Sequence, residues 1–106
     1  MGISEQTLNE IIERILKVAK PDRIIMFGSA ATGTMTKDSD IDLLVVEREP
    51  GDVYEEMVRI HKVLRGLGFP FDVIVMSTKR FEGTKGLVGG IAYPANKYGR
   101  VIYNAA

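Results

Sequence analysis

Apolar residues recur three and four positions apart along the first stretch of the chain: Leu8, Ile11, Ile12, Ile15, Leu16 and Ala19, with Glu, Lys and Arg between them. That spacing lays them on one stripe of an amphipathic helix. Ser4 or Thr7 caps its start, Thr7 standing at capping-box distance from Glu10, and Pro21 ends it. The pattern then shifts to short apolar runs that read as buried strands: "RIIMF" up to Gly28, "IDLLVV" up to the charged turn "EREPGD", and "FDVIVM". Helical spacing returns from Tyr54 to Leu67, with Met57, Ile60 or His61, Leu64 and Leu67 inward, and "GFP" stops it. "STKRFEG" begins a short helix or turn. In the tail, Gly89-Gly90 and Pro94 rule out one long helix. A short helix from Ile91 to Tyr98 and an extended "RVIY" are expected there.

This order of elements describes an α/β or α+β domain with a small sheet covered by helices. A chain of 106 residues fits one compact domain, residues 1–106. Hydrophobic content of 45% and charged content of 26% are ordinary for a soluble globular protein. Net charge is zero, which gives no sign of direct nucleic-acid or membrane binding. The charge is uneven, since Lys79, Arg80, Lys85, Lys97 and Arg100 face Glu82 alone after Ser77. Without cysteine, disulfides and thiolate metal sites are excluded. No apolar run approaches the roughly 20 residues that span a bilayer, and no signal-peptide pattern opens the chain. A cytoplasmic location is expected.

The candidate chemistry interrupts the apolar runs. Asp40 and Asp42 stand at the mouth of the second strand, two residues apart and therefore on one face, which Leu44 continues into the core. Asp72 lies between Phe71 and Val73 in the third strand. Carboxylates near burial are costly unless paired or bound to a cation, and three converging on one spot repel each other. Mg²⁺ suits such a cluster, because it takes hard oxygen ligands and is shared with substrate phosphates. Gly28-Ser29 supplies the other half. A glycine after a strand lets backbone approach a ligand, and a helix beginning at Ser29 turns its free N–H groups toward an anion. Metal-binding acids beside an anion cradle are apparatus for phosphoryl or nucleotidyl transfer.

At these residues the chain resembles the minimal nucleotidyltransferases of the DNA polymerase β superfamily. Their motif is Gly-Ser, ten residues, then Asp-x-Asp, matched by Gly28, Ser29, Asp40 and Asp42, with Asp72 in "FDVIV" as the third carboxylate. The likeness runs from the leading helix to "YGRVIY", similar to a closing Gly-x-x-x-Tyr segment. It implies a palm-like mixed β-sheet flanked by helices, with one or two Mg²⁺ ions held by Asp40, Asp42 and Asp72, and ATP as substrate. Gly28, Ser29, Lys37 and Ser39 would meet the nucleotide, and Asp72 could act as base for an attacking hydroxyl. Relatives of this size are encoded beside HEPN-domain toxins, and some transfer AMP to a tyrosine of that partner, as type VII-like antitoxins. The resemblance implies the same partner and reaction here. One departure stands out: "GSAATG" places Thr32 where relatives carry Arg. Lys37, Lys79 or Arg80 would have to supply that charge, and without it the alternative is a fold retained to neutralise its partner by contact. His61 reads as a partly buried helix residue. Tyr93, Tyr98 and Tyr103 read as packing, or with Leu87, Val88 and Ile91 as an apolar patch for a partner.

Overall fold

A computed structural model describes residues 3–36 and 38–105. Helix α1 spans Glu5–Leu16, and Ser4 rather than Thr7 caps it, its hydroxyl accepting the Thr7 N–H at 3.1 Å. Leu8, Ile11 and Ile15 are buried, but the helix ends before the expected Pro21. Leu16 is left largely outside, and Ala19 is buried from the turn that follows. Strand β1 is Arg23–Phe27, and the short α2, Ser29–Thr32, follows Gly28. Strand β2 is Ile41–Glu47, and α3, Val53–Val63, is capped by Asp52, whose carboxylate accepts the Glu55 N–H at 3.0 Å. Of the two candidate inward residues, Ile60 is fully buried. His61 sits at the flank, its ring nitrogens 3.0 Å from the Met57 carbonyl and 3.2 Å from that of Phe71.

Strand β3 is Phe71–Ser77. "STKRFEG" forms a true helix, α4, Thr78–Thr84, because the Ser77 hydroxyl caps it by accepting the Arg80 N–H at 3.0 Å. Helix α5, Ala92–Tyr98, and strand β4, Arg100–Asn104, complete the chain near the expected boundaries.

The sheet order is β3-β2-β1-β4, with β1 antiparallel to both neighbours and β2 parallel to β3. A parallel pair requires a crossover, which α3 provides. The expected mixed sheet flanked by helices is therefore present. Alternate residues of the central strands enter two cores. Ile24, Met26, Leu43, Val45, Val73 and Val75 pack under α1 and α3 with Ile11, Ile15 and Ile60. Ile25, Phe27, Leu44, Val46 and Met76 pack under α4 and α5 with Phe81, Ala92 and Ala95. Burial on both sides is why "RIIMF" and "IDLLVV" are continuous apolar runs rather than alternating ones.

Candidate active site

Asp42 and Asp72 are direct partners across the parallel β2–β3 pair, and Phe27, the last residue of β1, is opposite Asp42 on the other side. Neighbouring strands lie about 4.8 Å apart, so the two carboxylates issue side by side. They share the sheet face of Leu44, Val46 and Met76, the face that α4 and α5 cover farther along. At the Asp42 end that face is open. Asp42 is half-buried and Asp72 exposed. Asp40 is exposed in the loop just before β2. The carboxylates thus lie at the rim of the sheet, less deeply than their apolar flanks suggest, because each belongs to the first residues of its strand or precedes it.

Their electrostatics are those of unrelieved crowding. Asp42 is raised above the ordinary aspartate value by partial burial, then by the charges of Asp72 and Asp40. Among the described residues no Lys, Arg or His forms an ion pair with any of the three. Nor do three acidic or histidine side chains there close into a ready metal cage. Two hard-oxygen ligands side by side and a third two residues away fit a cation whose other positions are filled by water or phosphate, as is usual for Mg²⁺.

Gly28 joins this cluster to the turn. Its φ of +68° belongs to the region that glycine alone enters cheaply. A Cβ there would also collide with the Asp42 carboxylate oxygen Oδ2. The backbone of the turn therefore lies directly against the Asp42 carboxylate. The first N–H groups of α2, at Ser29 and Ala30, have no acceptor within the helix. Gly33, with φ +80°, closes α2 after one turn.

The other expected nucleotide contacts fall out differently. The Ser39 hydroxyl is engaged within its own loop, accepting the Thr36 N–H at 2.9 Å and lying 3.2 Å from the Thr36 hydroxyl. Lys37 lies outside the described residues. Thr32 turns its hydroxyl back on its own turn, 3.0 Å from the Thr34 hydroxyl and 3.4 Å from the Gly28 carbonyl. Lys79 and Arg80 cannot replace an arginine at position 32. They follow Ser77, which the strand carries roughly 17 Å from Asp72. The expected tyrosine group is divided as well. Tyr103 packs against the α1–α3 core, whereas Tyr93 and Tyr98 flank the Lys97 ammonium, which donates to the Tyr93 hydroxyl at 3.2 Å. Leu87 and Val88 are exposed, and Ile91 packs on the second core.

Sequence reasoning missed Glu47 and Glu56, each 5% exposed, at the opposite end of β2. The signal was available: Glu56, Ile60 and Leu64 are spaced to share one helix face.

The fold is that of the nucleotidyltransferases. A toxin–antitoxin crystal structure with AMP-PNP superposes with a TM-score of 0.70 at 19% identity, covering 92% of this chain and 73% of that one. A nucleotidyltransferase-fold structure from Sulfolobus solfataricus gives 0.63 at 21% identity, covering 94% and 79%. A mutant of the toxin–antitoxin MntA-HpeT gives 0.67 at 16% identity, covering 92% and 72%. Residues 6–94 match the Nucleotidyltransferase domain family, and the chain belongs to it. It is 35% identical over 75 residues to "Putative protein adenylyltransferase MJ1305" of Methanocaldococcus jannaschii, covering 65% of this chain and 49% of the relative. It is 34% identical over 64 residues to "Putative protein adenylyltransferase MJ0141" of the same organism, covering 60% and 63%. The chain thus spans about half the length of one curated relative and under two thirds of the other. No helix among the described residues is long and apolar enough to cross a membrane.

Proposed function

We propose that this protein is a Mg²⁺-dependent nucleotidyltransferase that moves AMP from ATP to a hydroxyl, the acceptor being a tyrosine of a HEPN-domain toxin that it thereby silences. The pairing of Asp42 with Asp72 in strand register, against the backbone of Gly28, is the observation that carries the reading. The names of the two archaeal relatives support adenylyl transfer, and the toxin–antitoxin structures support a toxin partner and an adenine nucleotide.

Asp40, Asp42 and Asp72 would hold the metal. When bound, Mg²⁺ supplies positive charge against the triphosphate oxygens and against the attacking oxygen. The rest falls to the chain. Gly28 lets the turn lie directly against the Asp42 carboxylate, and the Ser29 and Ala30 N–H groups, which have no acceptor within α2, would be left to the phosphates. The acceptor oxygen forms a bond to the α-phosphorus, the bond to the bridging oxygen breaks, and pyrophosphate leaves. The hydroxyl proton passes to Asp72, the exposed member of the pair. The open half of the sheet face leaves the acceptor to be delivered by a partner.

Thr32 favours a second reading, in which the fold neutralises its partner by contact with little catalysis, since its hydroxyl is spent on its own turn. Incubation with the partner, ATP and Mg²⁺, followed by intact mass, separates the two. An adenylyl adduct on the partner supports transfer. Inhibition of the toxin without an adduct supports contact alone.

A further inference from the structure

We propose that Glu47 and Glu56 form a proton-binding latch, one shared proton fastening the start of α3 to the end of β2. Glu47 is the last residue of β2 and Glu56 lies in the first turn of α3, each only 5% exposed. The Glu47 Oε2 atom is buried with no hydrogen-bond partner. Two carboxylates offer acceptors only, so one proton between them supplies the missing donor. Without it, two like charges would be held together in a buried site.

The surrounding groups leave that proton in place. Arg59, one turn along α3, meets Glu56 at 3.3 Å but has no ion pair with Glu47. Asp22, ahead of β1, adds a further negative charge that acts on Glu47. Glu47, Glu56 and Arg59 line one cavity of about 390 Å³, bordered also by Glu49 in the β2–α3 connection and by Lys17 and Lys20 after α1. Burial first, then the Glu56 charge and hydrogen bond, lift Glu47 from 4.5 to about 7, while Arg59 pulls the other way.

The unfolded chain releases the proton near 4.5 and the folded chain near 7, so folding takes up a proton between those values. The contribution to stability is whole below about pH 4.5, drains as pH rises, and is gone above about 7. What loosens is the crossover that sets β2 and β3 side by side. This latch stands apart from the aspartates at the other end of β2, and it does not depend on the reaction proposed above.

The test uses the full chain in magnesium-free buffer. Denaturant unfolding from pH 5 to 8 is compared for the parent, Glu47→Gln and Glu56→Gln, with side-chain carboxyl titration by carbon-13 NMR. The folding equilibrium of the parent should weaken by up to about a hundredfold across that range. Glu47→Gln, which carries its own donor, should lose most of this slope, and a carboxyl of the pair should titrate near neutrality. Amide exchange in α3 should quicken with pH more than in α1. An unchanged slope in Glu47→Gln overturns the latch. If neither variant folds, the parent's titration decides: both carboxyls near 4.5 refute it.

Discussion

Gly28 answers to two demands at once. Its backbone is left-handed, and the space where a side chain would begin is occupied by the Asp42 carboxylate. Gly28→Ala should therefore cost about 1–2 kcal/mol in urea unfolding, from the conformation alone. Because the carboxylate must move aside, adenylyl transfer should fall about a hundredfold, as measured by initial rates. Asp42 is crowded by its neighbours, so Asp42→Asn should abolish transfer yet raise stability by about 1 kcal/mol at pH 7. Mg²⁺ without nucleotide should raise the melting temperature of the parent and leave Asp42→Asn unmoved. These residues were legible because the spacing of the motif is a matter of sequence. Their exposure was not, since how far a strand runs before reaching the rim depends on its neighbours. The buried glutamates were missed for the opposite reason: charged residues are usually exposed, and only the helix face that Glu56 shares with Ile60 marks one of them, while Glu47 ends a strand.

The elements follow their periodicities closely where apolar spacing is regular. The three strands and α3 were readable because the central strands are buried on both faces and α3 on one. Helix ends were less so. Turn hydrogen bonds, Lys17 N–H to the Arg14 carbonyl and Ala19 N–H to that of Ile15, finish α1 before Pro21, and no residue type announces that stop. Helix α3 is the crossover that makes β2 and β3 parallel, and Ile60, fully buried, is its anchor. Ile60→Ala should cost about 2–5 kcal/mol in denaturant unfolding, through lost burial and the cavity left behind. A loss under 0.5 kcal/mol, within the range of surface changes, would mean that α3 does not depend on this contact.

Across the whole molecule, the helices divide the labour of the sheet unequally. Helices α1 and α3 close one face, while α4 and α5 cover part of the other and leave the Asp42–Asp72 end open. That arrangement depends on contacts distant in sequence. It explains why Lys79 and Arg80, close to Asp72 in sequence, lie at the far end of β3. It also keeps the aspartates and the glutamate pair apart, with roughly 17 Å of β2 between them. Whether the open end moves AMP, as proposed, is decided by intact mass after incubation with the proposed HEPN-domain partner, ATP and Mg²⁺. The expected result is an adenylyl adduct on the partner with the parent chain and none with Asp42→Asn. A partner that is inhibited without gaining mass, or one that gains it equally with Asp42→Asn, would contradict it.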